Sequence, residues 1–338
     1  GTRGMLMHWD GTRWTSHQLA AGGQDLRGLW GSGPGDVWVV GDEGAFHYDG
    51  GAWSQVVLGA QLVAVHGSSA SDVWAGGYGR SVHRWNGTGW ASLTLLDAGE
   101  HVQALTVDAP GGCWLLIDDD AFTASRVLRC DGSASGFDAG DRSLFGGWSR
   151  APDDVWVAGD DHRLIHFDGG GWTVVRSSAN SGQPDTFRAG AFFPDSGDVI
   201  AVGDSTLVWE PSTGEQRLPD LASQQQTYNA VTTWAGREAM AVGGFGAVAR
   251  RRDGGWATLQ RGTAHALHGL ALHGGTLWAA GNAATVLRRT TAWNAEPVTN
   301  AAGSNFTQMW RHDSGGFLAD DEGRIFVQLG AGAWQQEA

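Results

Sequence analysis

Asp36-Val37-Trp38-Val39-Val40-Gly41 returns as Asp72-Val73-Trp74-Ala75-Gly76-Gly77 and again as Asp154-Val155-Trp156-Val157-Ala158-Gly159. A second element follows each: Asp49-Gly50-Gly51-Ala52-Trp53, Asn86-Gly87-Thr88-Gly89-Trp90 and Asp168-Gly169-Gly170-Gly171-Trp172. Self-similarity with a period near 40 residues signals stacked repeats. With Trp38 as marker, the equivalents are Trp74, Trp114, Trp156, Ile200, Met240, Trp278 and Leu318, at intervals of 36 to 44 residues.

Inside one repeat, short apolar runs alternate with turn chemistry. Leu26 to Trp30 precedes Gly31-Ser32-Gly33-Pro34-Gly35, Val37 to Val40 precedes Gly41-Asp42-Glu43-Gly44, and Ala45 to Tyr48 precedes the Asp49-Gly50 turn. Glycine, proline and aspartate favour tight turns for separate conformational reasons. Helical periodicity is absent. Four antiparallel strands per repeat predict a β-propeller blade. The expected fold is all-β: one propeller domain over 1–338 with eight four-stranded blades, seven or nine being the alternatives. The blades are expected near 25–60, 61–98, 99–140, 141–182, 183–222, 223–264, 265–301 and 302–338. Residues 1–24 carry a half-repeat, Met5 to Gly11 and Trp14, that resembles the third and fourth strands of a further unit. It is expected to replace, or sandwich against, strands of the last blade, or to continue a preceding segment.

Composition supports a packed chain: 54 Gly and 8 Pro are balanced by 19 Trp and 41% apolar residues. The net charge of −14 argues against sequence-independent nucleic-acid binding, which needs a basic surface, and favours a cationic partner. Every basic residue is Arg. No run of 18 apolar residues occurs, so no spanning helix is expected. Cys113 and Cys130 align with Val37 and Tyr48, at facing ends of a hairpin. Cross-strand neighbours are close enough for a disulfide, and this one predicts an oxidising compartment.

The recurring tryptophans are expected to pack between blades and along their outer edge. His8, His47, Arg84, His166 and Arg251 precede the turns at a fixed distance. One histidine per blade would diverge rather than converge on a metal, so no metal site is expected. His265, His268 and His273 do not share a strand face. Two candidate sites remain. One is an acidic face built from the turns between second and third strands: Asp42, Glu43, Asp118, Asp119, Asp120, Asp160, Asp161, Asp204, Asp320, Asp321 and Glu322. It would take a cation, Ca²⁺ included, or a basic partner, although no single loop has calcium-loop spacing. The other is an axial funnel at the ends of the innermost strands, with Trp30, His66, Trp148, Phe192 and Trp310 as ligand-binding residues.

The Asp-Gly-x-x-Trp turn resembles the Asp-box of sialidase-type and related (BNR/WD40-like) propellers. It differs in lacking the Ser or Thr two before the Asp and in placing Gly next to it. The whole chain resembles secreted propeller repeat proteins of high-GC bacteria. That resemblance implies a fold and an extracytoplasmic location rather than a reaction. No nucleophile elbow, phosphate loop or zinc motif is present, and the three tyrosines lack the partners of a sialidase site. The cysteines are 17 apart, unlike the adjacent pair of a quinoprotein dehydrogenase. The expected role is a non-enzymatic binding or scaffold module making protein–protein or surface-assembly contacts. A lectin with glycan sites between blades, and a glycoside hydrolase or lyase with a site on one propeller face in the divergent blades between 99 and 140 or 183 and 222, are the alternatives.

Overall fold

The computed structural model describes residues 4–9, 14–20, 24–121, 124–131, 136–140, 143–160, 163–176, 186–204, 207–210, 214–217, 227–234, 236–252, 254–259, 262–312, 315–329 and 332–336. Among the described residues eight four-stranded antiparallel units follow one another along the chain from residue 26 to residue 336. The fold is a β-propeller with eight blades, whose strands span 26–56, 62–93, 100–140, 144–176, 187–217, 228–258, 267–295 and 306–336. Each blade runs in simple strand order. The last one gains a fifth strand, Val298–Thr299, parallel to Trp334–Gln336. Contacts divide the chain into two compact units, Gly1–Pro184 with blades 1 to 4 and Asp185–Ala338 with blades 5 to 8.

The half-repeat does not lend its strands to the last blade. Met5–Trp9 pairs with Trp14–Gln18 in a two-stranded sheet of its own, and the last blade is completed by its own Trp334–Gln336. Leu6, Leu19 and Ala20 instead pack on Leu26, Val39 and Phe46 of blade 1. A two-stranded hairpin is marginal alone, and this apolar contact supplies what it lacks.

Two backbone devices repeat through all eight blades. Each first strand carries a register shift near its start, at 26/28, 62/64, 102/104, 144/146, 187/189, 228/230, 267/269 and 306/308. Such bulges bend the strand and re-aim one side chain. Past each second strand, a backbone N–H donates to the carbonyl just before the first strand of the same blade. The pairs are Asp42 to Asp25, Tyr78 to Gln61, Asp120 to Gly99, Asp160 to Ser143, Asp204 to Thr186, Gly244 to Thr227, Asn282 to Ala266 and Asp321 to Asn305. This close approach explains the glycine that ends the Asp-Val-Trp motif. A Cβ on Gly41, Gly77, Gly159, Gly203, Gly243 or Gly281 would meet that same carbonyl oxygen at 1.8–2.2 Å.

Within each unit, side chains lock neighbouring blades together. Trp38 is 1% exposed. Its ring stacks on His47 of its own blade at 4.1 Å, and His47 Nε2 hydrogen-bonds to Asp36 Oδ1 at 2.7 Å. On its other side it meets Trp85 and Trp90 of blade 2 at 5.2 and 5.0 Å. Blade 4 repeats the inner half of this clamp with Trp156, His166 and Asp154. Blade 2 uses Arg84 over Trp74, held by Asp72. Blade 3 uses Arg129 over Trp114, held by Asp108 from the first strand. Trp114 then meets Phe167 and Trp172 of blade 4. In blade 6 Arg250, not the adjacent Arg251, pairs across from Met240, and Glu238 holds it. The periodic histidines and arginines are therefore caps on the second-strand position, which is why one recurs in each of these blades.

Blade 3 departs from the pattern in a useful way. The position that is Trp85 in blade 2 and Phe167 in blade 4 is Cys130, and it is disulfide-bonded to Cys113 with Cα atoms 5.2 Å apart. Both cysteines join the cluster that holds Trp74 of blade 2. The bond replaces a bulky aromatic contact with a covalent tie.

Two outcomes test this framework. Gly243→Ala should cost about 1–3 kcal/mol in urea unfolding, because the added methyl collides with backbone. Gly255→Ala, where a Cβ meets nothing within 4 Å, should be close to neutral. Replacing both cysteines by alanine should cost about 3 kcal/mol by the same titration, the loop-closure value for a bridge of this span.

Candidate functional site

The acidic turns are largely occupied by the protein's own donors. Asp42 accepts Arg27 Nε at 2.8 Å, Gln61 Nε2 at 2.6 Å and the Asp25 N–H at 3.1 Å. Arg27 is the bulged residue of its strand, and it holds the Asp42 carboxyl below the usual range. Asp204 repeats the arrangement with Arg188, also at a bulge, and Thr227. Asp320 accepts Arg324 Nε at 2.6 Å and two backbone N–H groups. Asp321 pairs with Asn305, and Glu322 lies 3.2 Å from Arg324. Asp118 is buried and accepts a hydrogen bond from Ser125, and burial pushes its carboxyl pKa up. Asp120 is exposed, 3.4 Å from His101 Nδ1. Asp119, Asp160 and Glu43 are partly buried. Asp161 lies outside the described residues, as does Asp253 of the blade-6 turn. Among the described residues no group of three His, Cys, Asp or Glu side chains is placed to hold a metal ion.

The funnel residues separate into two sets. Trp30, His66, Trp148 and Trp310 pair across from Trp38, Trp74, Trp156 and Phe317, and so share one register position. Phe192 does not. It pairs with Val199, and the residue equivalent to Trp30 is Ala191, across from Ile200. A one-residue slip turns a side chain to the other face of the sheet. The same register makes Phe317, rather than Leu318, the blade-8 counterpart of Trp38. Trp30 rests against His66 at 6.2 Å, and Gly67 makes room for its ring. Trp310 is half exposed, and Leu272, on the first strand of the adjacent blade, is 36% exposed.

A cavity of about 450 Å³ lies between blades 7 and 8, lined by His273, Gly274, Thr276, Trp278, Arg288, Glu296, Arg311 and Gln328. It exists because the repeat fails there at four positions. Thr276 stands where Asp36, Asp72, Asp154 and Glu238 stand in their blades. Gly316 replaces the valine at 37, 73 and 155, and Gln328 replaces Tyr48, Trp85 and Phe167. Arg311 occupies the position of Gly31 and Gly67. Removing an aromatic ring and an isopropyl group leaves unfilled volume over Trp278, and Arg311 reaches into it. Its Cζ sits 4.1 Å from the Trp278 ring centroid, within cation–π range. Its Nη1 donates to Gln328 Oε1 at 2.6 Å, and Gln328 is fixed in turn by the Gly332 carbonyl. Arg288 donates to Glu296 Oε1 at 2.6 Å. Burial, with Arg288 nearby, lowers the Arg311 pKa. This pocket escaped the sequence reading because its signal is a set of exceptions to the repeat, visible only once register is fixed.

Titration should report these environments. Burial lowers the pKa of His66 and His83 below the ordinary value of 6.5. Their unfolded forms therefore take up protons first, and stability present above pH 6.5 is lost as pH falls below it. A second loss follows below about pH 4, as carboxylates held low by arginines, such as Asp42 and Glu100, are protonated. Urea midpoints measured from pH 8 to 3 should show both steps, and His83→Gln should shrink the first.

No protein-family model matches the chain, and no curated protein does. Solved structures of β-propeller proteins do match. Sqt1 from Saccharomyces cerevisiae superposes with a TM-score of 0.60 at 14% identity, over 80% of this chain and 82% of that one. YCF48 from Cyanidioschyzon merolae gives 0.54 at 13% identity, over 90% and 95%. A YCF48 bound to a D1 peptide gives 0.51 at 15% identity, over 90% and 93%. At these identities the likeness is one of fold, and it agrees with the blade architecture that the repeat and the strand register establish.

Proposed function

We propose that this chain is a non-enzymatic binding module for a protein segment, acting outside the cytoplasm. The observation that carries the reading is the exposed indole on the first strand of blade 8. Trp310 is 51% exposed, while the described second-strand tryptophans are under a tenth exposed. Those buried indoles are spent on packing between blades, so they offer no stacking platform to a sugar. Exposed aromatics of the Trp310 kind are the usual anchors of peptide and protein contacts. The YCF48 propeller solved with a D1 peptide gives a precedent for peptide binding on this fold. The disulfide supports an oxidising compartment. The Asp-box-like turn fits a repeat family of surface proteins. In the structure Asp49 Oδ1 and Asp168 Oδ1 each accept two backbone N–H groups across the following glycines. That is an architectural task rather than a catalytic one.

Panning a random peptide library on the immobilised native chain tests the proposal. Enriched peptides should bind Trp310→Ala roughly tenfold or more weakly, as expected for loss of an aromatic anchor, with little change in melting temperature. Peptides that bind both proteins equally, or no enrichment at all, would reject it.

A further inference from the structure

Five blades put a carboxylate against the imidazole or guanidinium that caps the second-strand position: Asp36 with His47, Asp72 with Arg84, Asp108 with Arg129, Asp154 with His166 and Glu238 with Arg250. Blade 7 breaks this rule. Its second-strand carboxylate is replaced by Thr276, yet two guanidiniums, Arg288 and Arg311, lie 5.8 and 4.1 Å from the Trp278 ring. Arg288 has found Glu296. Among the described residues Arg311 hydrogen-bonds to the neutral Gln328 oxygen alone and its buried Nε has no hydrogen-bond partner, while Glu296 acts on it at longer range. Among the described residues no carboxylate lies within ion-pair distance of Arg311. The cavity opens beside it and is lined by the residue, Thr276, that displaced the usual Asp.

We infer that the pocket between blades 7 and 8 binds a carboxylate group of a ligand, which takes the place of the aspartate that this blade lacks. Arg311 is the recognition element: its planar fork matches a carboxylate, and its stacking on Trp278 fixes the plane of that fork. Thr276 offers a hydroxyl in the same cavity. Arg288 and Glu296 set the charge. Two guanidiniums against one carboxylate leave a single positive charge, which suits a monoanion, and Glu296 would repel a dianion. A half-buried cation with no ion-pair partner among the described residues is costly, with Glu296 engaged by Arg288 and acting on it only at longer range, so an anion bound directly to Arg311 is favoured. The volume accepts a carboxylate side chain or a small carboxylic acid. This inference is independent of peptide binding at Trp310 and survives its failure.

The test is calorimetry on the native chain with four probes: propionate, an end-blocked Ala-Glu-Ala peptide, its Ala-Gln-Ala counterpart and inorganic phosphate. At least one carboxylate probe should bind, and the glutamine peptide should not. Tighter binding of propionate identifies a free acid, and tighter binding of the glutamate peptide identifies an acidic side chain; either supports the site. Thr276→Asp, which restores the repeat's own carboxylate, should weaken binding roughly tenfold or more while holding or raising the melting temperature. Arg311→Lys, which keeps the charge but not the fork, should weaken it comparably. The inference is overturned if no carboxylate probe binds, if Thr276→Asp binds as tightly as the native chain, or if phosphate outcompetes every carboxylate.

Discussion

The structure depends on a three-part clamp around the second-strand indole. A carboxylate fixes an imidazole or guanidinium, that group lies over the ring, and the next blade closes the other side with a bulky group. No part suffices alone. Burying an indole contributes a few kcal/mol, but a bare tryptophan at a blade interface could slide. The capping side chain fixes the ring from within its own sheet, and the neighbour fixes it from without. Trp38 between His47 and the Trp85–Trp90 pair is the fullest example. Trp114 between Arg129 and the Phe167–Trp172 pair is the same solution with different chemistry. Different side chains fill the same role in different blades. That is why a disulfide can occupy one such place in blade 3.

Much of the fold was readable because the devices that build it leave residue signatures. Asp-Val-Trp-x-x-Gly encodes the anchor, the indole and the close backbone approach. Asp-Gly-x-x-Trp encodes the turn and the ring that opens the fourth strand. The cysteine pairing followed from alignment onto Val37 and Tyr48, which do pair across strands. Register was harder to read. The first-strand bulge inserts one residue that no motif marks, and blades 5, 6 and 8 lack the tryptophan marker. Phe192 and Leu318 were each placed one residue off for that reason. The role of the half-repeat was also hidden, because Leu6 and Leu19 carry no hint of which blade they cover.

The sites were less legible than the fold. A run of aspartates in turns looks like an open acidic rim until the bulged Arg27 and Arg188 are seen to reach into it. Charge counts cannot show which carboxylates are already answered. The pocket between blades 7 and 8 has the opposite problem. Arg311, Gly316 and Gln328 are unremarkable residues on three successive strands of one blade. They matter only by differing from what seven other copies place there.

The eight backbone bonds that tie each second strand to its own blade use no side chain at all. A blade can therefore hold its outline while its lateral surfaces change. An ancestral duplication that began as identical units could thus surrender one junction to a new purpose and keep the remaining seams intact. On this view a tandem architecture is a store of spare interfaces, and the seam that has drifted furthest from its siblings is where innovation is to be sought.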